Sequence, residues 1–381
     1  MPENLQINRT SRVRLEVNST ALRHNFEAVH KHVDPCRILT VLKANAYCVG
    51  ADFMGRLACE VGADRIGVAD LSEALAMQKA VDKRCPVQIL GVVTPDELPD
   101  AVANGVVLPV NGLAMAESVS AEAVRQGKTA VVHVILDTGM GRFGELPGNY
   151  QNEISAMSRL PNLHLEGLYS HFPCAGTPRE AGTVAQIELF KRQYAELQKS
   201  GIDFAFRHIA ATDGILCQTP SRQAPFNMVR LGLGWYGVCR NKGEKEIGLQ
   251  PALRLTTVVG AVRELPEGAT VGYFRTCKLK RKTTVATICA GYADGLPLAL
   301  SNTGRVLING TSCPVLGRLS MDYTMVDVTD VPGRVTWGTP VTLWGRDGEE
   351  YLSMAEYAKL KNTHIHDILC ALGSRVERIY I

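Results

Sequence analysis

A lysine closes the apolar run Cys36-Arg37-Ile38-Leu39-Thr40-Val41-Leu42, and a tyrosine follows four residues later in Lys43-Ala44-Asn45-Ala46-Tyr47. The run is short, rich in β-branched residues and preceded by Pro35, which predicts a strand buried on both faces with Lys43 at its exit. A desolvated lysine loses proton affinity, and its free amine can add to a carbonyl to form a Schiff base. Read alone, the segment more often means a solvated lysine at a strand end. A second candidate cluster, His364-Ile365-His366-Asp367, suggests metal ligands. On a strand, however, the two histidines share one face while Asp367 points away, so no metal is expected. The Gly-rich Gly139-Met140-Gly141-Arg142-Phe143-Gly144 has the wrong spacing for a dinucleotide loop and lacks an acidic residue to hold a ribose.

The elements that must position these residues alternate in type. After Asn18, a helix is expected from Ser19. Strands are expected at the lysine run, Arg65–Ala69, Pro86–Gly91, Gly105–Val110, Ala130–Leu136, Leu163–His171, Arg207–Ala211 and Asn227–Leu231. Helical periodicity over Leu71–Ala80, Ala114–Arg125 and Val184–Lys199 makes these eight strands repeated βα units. The fold class is therefore α/β, a (β/α)8 TIM-like barrel, in which functional residues gather at the C-terminal strand ends and phosphate binds after strands seven and eight. Beyond about residue 250, short strands at Leu255–Val262, Thr283–Cys289, Gly304–Ile308, Met325–Val328 and Pro340–Leu343 alternate with Gly- and Pro-rich turns. A second, mainly β domain is expected there. The boundaries read as 12–248 for the barrel and 249–381 for the β domain, with residues 1–17 able to pack with the latter.

Composition narrows the class. The chain has 381 residues, a net charge of +3, and 46% hydrophobic, 21% charged and 6% aromatic residues, a globular profile with no argument for nucleic acid. The basic run Lys278-Leu279-Lys280-Arg281-Lys282 has no interleaved aromatic residues and reads as a solvated turn. Eleven cysteines, odd in number and without a C-x-x-C pair, suggest neither a disulfide framework nor a zinc knuckle, and place the chain in a reducing cytoplasm. Neither a signal peptide nor a membrane anchor is expected.

Five segments in order carry a more specific signal. They are Val41–Tyr47, Asp137-Thr138-Gly139-Met140-Gly141-Arg142-Phe143-Gly144, Arg230-Leu231-Gly232-Leu233-Gly234-Trp235-Tyr236-Gly237, Gly291-Tyr292-Ala293-Asp294-Gly295 and Gly317-Arg318-Leu319-Ser320-Met321-Asp322. Together they resemble the alanine racemase family, from about Arg12 to the C-terminus. The resemblance implies pyridoxal 5′-phosphate (PLP) as cofactor and interconversion of L- and D-alanine. It also implies a homodimer in which the barrel of one subunit meets the β domain of the other. It makes Lys43 the cofactor anchor and one catalytic base, and Tyr273 in Val271-Gly272-Tyr273, from the partner subunit, the opposed base. Tyr292 is a competing tyrosine, which the resemblance places with Asp322 at the site entrance.

By the same resemblance, His171 in Tyr169-Ser170-His171-Phe172 links Tyr273 to Arg230, and Arg230 faces the pyridine nitrogen of PLP. Arginine keeps its protons, so it donates to that nitrogen and leaves the ring unprotonated. Tyr47, Thr212 and the amides of Gly232 and Leu233 are assigned to the phosphate, with His366 in the same shell. Arg142 is assigned to the substrate carboxylate, which suits its planar fork, and Met321 adds a backbone amide. Two alternatives remain: a racemase of serine or of broader specificity, and a non-catalytic PLP carrier. A decarboxylase of the same plan is disfavoured, since these generally oppose the pyridine nitrogen with a carboxylate.

The chain departs from the family pattern at several positions. Ala211 replaces an asparagine, and His366 a tyrosine that walls the pocket. Ile135 replaces a lysine that many members carbamylate to steady the arginine, and Phe274 replaces a glycine. Cys48-Val49 stands where glycine and histidine are frequent.

Overall fold

A computed structural model describes residues 11–238 and 247–381. The chain divides into two compact units. Of the described residues, one unit holds 22–46, 50–238 and 247–250, and the other holds 11–21, 47–49 and 251–381.

Strand β1 (Arg14–Val17) belongs to the second unit, and the next eight strands build the first. These are β2 (Arg37–Val41), β3 (Arg65–Val68), β4 (Val87–Ile89), β5 (Leu108–Val110), β6 (Ala130–Ile135), β7 (Leu163–Tyr169), β8 (Phe206–His208) and β9 (Met228–Leu231). All eight overlap the segments expected to be strands. They pair in parallel as two arcs, β4-β3-β2-β9 and β5-β6-β7-β8. Two seams close the arcs into a barrel. At one, Ile89 N–H donates to the Val107 carbonyl at 3.0 Å and Val107 N–H to the Val87 carbonyl at 3.1 Å. At the other, Asn227 N–H donates to Arg207 at 3.1 Å and Arg230 N–H to Ala210 at 2.9 Å.

The helices between the strands start and stop where side chains satisfy their ends. Asp70 caps Leu71–Ala80 by accepting from Glu73 N–H, and Glu180 caps Ala181–Lys199 by accepting from Gly182 and Thr183. Gly127, at φ 62°, terminates Leu113–Gln126 in the left-handed conformation that glycine adopts without strain.

The second unit is mainly β. Its further strands are β10 (Leu253–Leu265), β11 (Thr270–Val271), β12 (Cys277–Lys278), β13 (Thr283–Ile288), β14 (Arg305–Ile308), β15 (Thr311–Pro314), β16 (Thr324–Asp327), β17 (Pro340–Asp347), β18 (Glu350–Leu352) and β19 (Glu377–Tyr380). The path β15-β14-β17-β10-β1-β19 forms the spine of a nine-stranded sheet, while β11 and β12 pair separately. Strand β1 lies between β10 and β19, so both termini of the described chain are stitched into one sheet. The run Lys278–Lys282 includes the turn between β12 and β13. One expectation fails: Ile365–Cys370 is a helix with His364 at its N-cap, not a strand. The short polar spacing of His364, His366 and Asp367 was read with period two, whereas Ile365, Ile368 and Leu369 bury themselves with helical spacing.

Gly167 occupies a place in the barrel where a side chain has no room. A Cβ on Gly167 of β7 would meet the His133 ring. Gly167→Ala is expected to cost about 1–3 kcal/mol through overpacking. A lowered urea midpoint would register this, and an unchanged one would show that the ring can move aside.

Candidate active site

Because the barrel strands are parallel, their C-terminal ends form one rim, and the sequence-nominated residues of this unit collect there. Lys43 follows β2, Arg142 lies beyond β6, His171 follows β7, Thr212 lies beyond β8, and Arg230 and Gly232 lie at the end of β9.

Arg230 is the buried centre of the group, with 4% exposure. Its NH2 donates to the carbonyls of Ser170 and Ile209, each at 2.8 Å, and to His171 Nδ1 at 3.0 Å. Its NH1 donates to His208 Nδ1 at 2.7 Å. Burial lowers its pKa to about 10, so the guanidinium remains charged at neutral pH. These contacts occupy both terminal nitrogens and do not use Nε.

Arginine can only donate, so its two histidine partners must accept through Nδ1, and each neutral ring carries its proton on Nε2. Burial first, then the charges of Arg230, Arg142 and Lys43, lower the His171 pKa to about 3. His171 is therefore a neutral imidazole with one N–H to donate. His208, fully buried beside Arg230, is held well below the ordinary histidine range for the same two reasons.

The polar chain continues into the barrel. His208 Nε2–H meets His133 Nδ1 at 3.0 Å, and His133 Nε2–H meets the Glu166 carboxylate at 3.0 Å. Arg65 closes it with a 2.8 Å ion pair to Glu166. Desolvation raises the Glu166 pKa, but the bonds and charges of His133 and Arg65 outweigh it and hold the carboxyl below its usual range. Burial brings His133 to about 4. His133 is in register with Gly167, and Tyr169 with His208, so the missing side chain at 167 opens the space through which His133 reaches across. Sequence reading missed His208, His133, Glu166 and Arg65, because the arrangement that joins them across four strands is not encoded locally.

Two loops set the rest of the rim. Asp137 accepts from the amides of Gly139, Met140 and Gly141 and so shapes the turn that presents Arg142. The guanidinium of Arg142 lies 5.7 Å from the Phe143 ring centre. Thr212 Oγ1 accepts from Gly232 N–H at 3.4 Å and Gly234 N–H at 3.2 Å, drawing the tight turn after β9 against the helix Thr212–Cys217. Leu233 opens a short 3-10 turn, and the first amides of such a turn lack acceptors within it.

The turn after Lys43 is unusual. Ala44, Asn45, Ala46, Tyr47 and Cys48 all have φ between 52° and 63°, a left-handed run that costs ~1–2 kcal/mol for each residue with a side chain. Local bonds hold it open. Ala44 N–H donates to Glu73 at 2.6 Å, Ala51 N–H to Asn45 Oδ1 at 2.7 Å, and Tyr236 O–H to the Ala46 carbonyl at 2.9 Å. Lys43 is exposed, which corrects the expectation of a desolvated lysine. The strand before it is buried, but the reversed turn directs the chain out of the core one residue later.

In the second unit, Gly272, at φ 78°, sets the turn that carries Tyr273, and a Cβ there would meet the Arg318 amide at 2.9 Å. Phe274 sits at φ 61°, which explains why glycine suits this position in the family pattern. Tyr292 N–H donates to the Ser320 carbonyl and Ala293 N–H to that of Met321, joining these loops. Tyr273 (65%), Phe274 (82%), Tyr292 (45%) and Met321 (52%) are all exposed. Asp322 pairs with Arg375 at 2.8 Å. Tyr47 is buried and packs edge-on against His366 at 5.5 Å between ring centres. Among the described residues, no group of three or more His, Cys, Asp or Glu is arranged around a common metal position.

The buried neutral histidines make the barrel acid-sensitive. Each has a folded pKa below its unfolded value near 6.5, so the unfolded state takes up protons first. Stability from this source is complete above pH 6.5 and falls as pH drops towards 4, by about 1.4 kcal/mol per pH unit for each such histidine. Urea midpoints recorded between pH 4 and 7 should show this decline, and His133→Gln should make it shallower. An equal slope in the variant would refute the assignment.

Comparison with known proteins agrees with this geometry. The alanine racemase N-terminal domain model matches residues 17–240 and the C-terminal domain model residues 252–380. Alanine racemase 2 of Caldanaerobacter subterraneus subsp. tengcongensis is 36% identical over 97% of this chain and 94% of its own. The alanine racemase crystal structure from D-cycloserine-producing Streptomyces lavendulae superposes with a TM-score of 0.90 at 29% identity, covering 97% of each chain. The Bartonella henselae alanine racemase, solved with covalently bound pyridoxal phosphate, has a TM-score of 0.87 at 25% identity, over 97% of this chain and all of its own. With a barrel rim built around Arg230, a β unit following it, and matches along nearly its whole length, this chain belongs to the alanine racemase family.

Proposed function

We propose that the chain is a PLP-dependent isomerase that interconverts L- and D-alanine, using Lys43 and the Tyr273 of a partner subunit as opposed bases. The observation that carries this reading is the buried Arg230 guanidinium holding the His171 imidazole at 3.0 Å, at the strand-end rim that Lys43 and Arg142 also follow. Such a site suits a ligand rich in anionic oxygens, and Arg230 retains Nε for an acceptor such as a pyridine nitrogen. The residues present therefore fit the cofactor. PLP, when bound, withdraws electrons from Cα of the amino acid and so makes the α proton removable.

The chain's own groups do the rest. Lys43 anchors the cofactor and takes or returns the α proton on one face. Tyr273 serves the other face, and the Nε2–H of His171 stabilises its phenolate by hydrogen bonding. Arg230 holds that imidazole in its donating tautomer. As a permanent donor, it also keeps the pyridine nitrogen unprotonated, which limits electron withdrawal and disfavours side reactions. Arg142 receives the substrate carboxylate with its fork, and the Met321 amide assists. Thr212, the Gly232 and Leu233 amides, Tyr47 and His366 serve the phosphate, while Tyr292 and Asp322 stand at the entrance.

The exposed aromatic loops of the second unit support a homodimer. Four large apolar side chains left in water on linked loops form a patch that a second copy of the chain would cover. Among the described residues no helix is long and apolar enough to cross a membrane, and the ten cysteines described are unbridged. These features accord with a reducing cytoplasm.

Incubation with PLP and each alanine enantiomer in deuterated water tests the two-base reading. Tyr273→Phe is expected to slow Cα exchange from one enantiomer by about 10²–10⁴-fold and from the other much less, whereas Lys43→Ala should abolish turnover. Equal slowing for both enantiomers would overturn the opposed-face assignment. Dilution below the dimer's dissociation constant should remove activity in parallel with dimer loss, and full activity in demonstrably monomeric protein would refute the shared site.

A further inference from the structure

Within the second unit, the turn Tyr47–Val49 carries a thiol towards the end of the helix Ile365–Cys370. The Cys48 thiol lies 3.7 Å from the Cys370 carbonyl oxygen and hydrogen-bonds to the Cys370 side chain. Arg378 fixes the other side of the turn, with Nε donating to the Cys48 carbonyl at 2.8 Å, and Tyr380 O–H donates to the Val49 carbonyl at 3.0 Å. Cys370 is exposed and Cys48 half-buried, so a small oxidant can reach the pair. The neighbours of these cysteines matter. Tyr47 immediately precedes Cys48, and His366 lies one helical turn before Cys370 on the same face, with the two rings in edge contact.

We infer that Cys48 and Cys370 form a redox couple that closes to a reversible disulfide under peroxide. The Cys370 thiol first, then the charge of Arg378, lower the Cys48 pKa to about 6 against the opposing effect of burial, so Cys48 is the attacking thiolate. Its sulfur attacks one peroxide oxygen, the O–O bond breaks, and the departing hydroxide takes a proton to leave as water. Cys48 is then a sulfenic acid. The Cys370 sulfur attacks it, forming the S–S bond and breaking the S–O bond, and the hydroxide released takes the Cys370 proton as a second water. The two sulfurs supply the two electrons that reduce the peroxide. An S–S bond of about 2.05 Å is much shorter than a non-bonded sulfur contact. Closure therefore draws the Tyr47 turn and the His366 helix towards each other. The consequence for the cofactor rests on the proposed phosphate role of Tyr47 and His366, whereas formation of the disulfide does not.

The experiment uses the full reduced chain, treated with hydrogen peroxide, alkylated after unfolding and mapped after trypsin digestion. The expected result is a fall from eleven alkylatable thiols to nine, with the fragment 44–56 joined to the fragment 362–375 and recovery in dithiothreitol. Cys48→Ser and Cys370→Ser should each abolish the linked fragment, and Cys174→Ser, at an exposed position elsewhere, should retain it. The couple is overturned by absence of that fragment, by over-oxidised Cys48 in its place, or by a covalent dimer on a non-reducing gel. PLP binding to the cofactor-free protein is read separately, and the disulfide form should bind about 10-fold more weakly, the order of effect that losing one hydrogen bond to a charged group has. Formation of the linked fragment with unchanged PLP affinity would refute only the connection to the phosphate residues.

Discussion

A buried arginine that must remain charged constrains much of the barrel unit. Removing the Arg230 guanidinium from water is tolerable only if its donors are satisfied, and the fold meets this demand with two carbonyls and two imidazoles. Because arginine offers only hydrogens, the demand propagates. His171 and His208 must both accept on Nδ1 and must both remain neutral. His208 then needs an acceptor for its own proton, which His133 supplies, and His133 needs one in turn, which Glu166 supplies. The chain ends at a second arginine, Arg65. A donor-only residue at one end and a carboxylate near the other give the whole series a single direction, so no ring within it is free to flip its tautomer.

That direction has a functional consequence. A histidine able to exchange tautomers could offer either a lone pair or a proton to a neighbouring phenol. His171 can offer only the proton, because Arg230 occupies its other nitrogen. Towards any such phenol the imidazole is thus a donor only, which is what the proposed tyrosine base would require of it. Protonation of the ring, which would break its bond to Arg230, is opposed by burial and by the surrounding positive groups.

Most of the eight barrel strands were legible as short apolar runs bounded by turn residues, and their parallel arrangement follows from the helices between them. Lys43, Arg142 and Arg230 were legible as motifs at strand ends. The interior chain of His208, His133 and Glu166 was not. It depends on which residues of β6, β7 and β8 stand side by side, and on the space that Gly167 leaves beside His133. A glycine inside a strand is a weak sign of close approach, and it does not name what approaches. Period was misread at His364–Asp367, where polar alternation suggested a strand. The apolar spacing of Ile365, Ile368 and Leu369, which pack inward, was the stronger signal and made a helix.

The left-handed turn after Lys43 shows how local and global demands divide the work. Five consecutive residues with side chains are held at positive φ, an arrangement that alanine and tyrosine do not favour intrinsically and that no motif in the sequence announces. The reversed turn exposes Lys43 at the rim, buries Tyr47, and releases the chain into its helix only at Gly50, whose φ of 121° no other residue type adopts readily. The strain is sustained by bonds from outside the turn, notably those of Glu73 and Tyr236. The position of Lys43 is thus set less by its own strand than by side chains remote in sequence, and that is why its exposure could not be read from the apolar run preceding it.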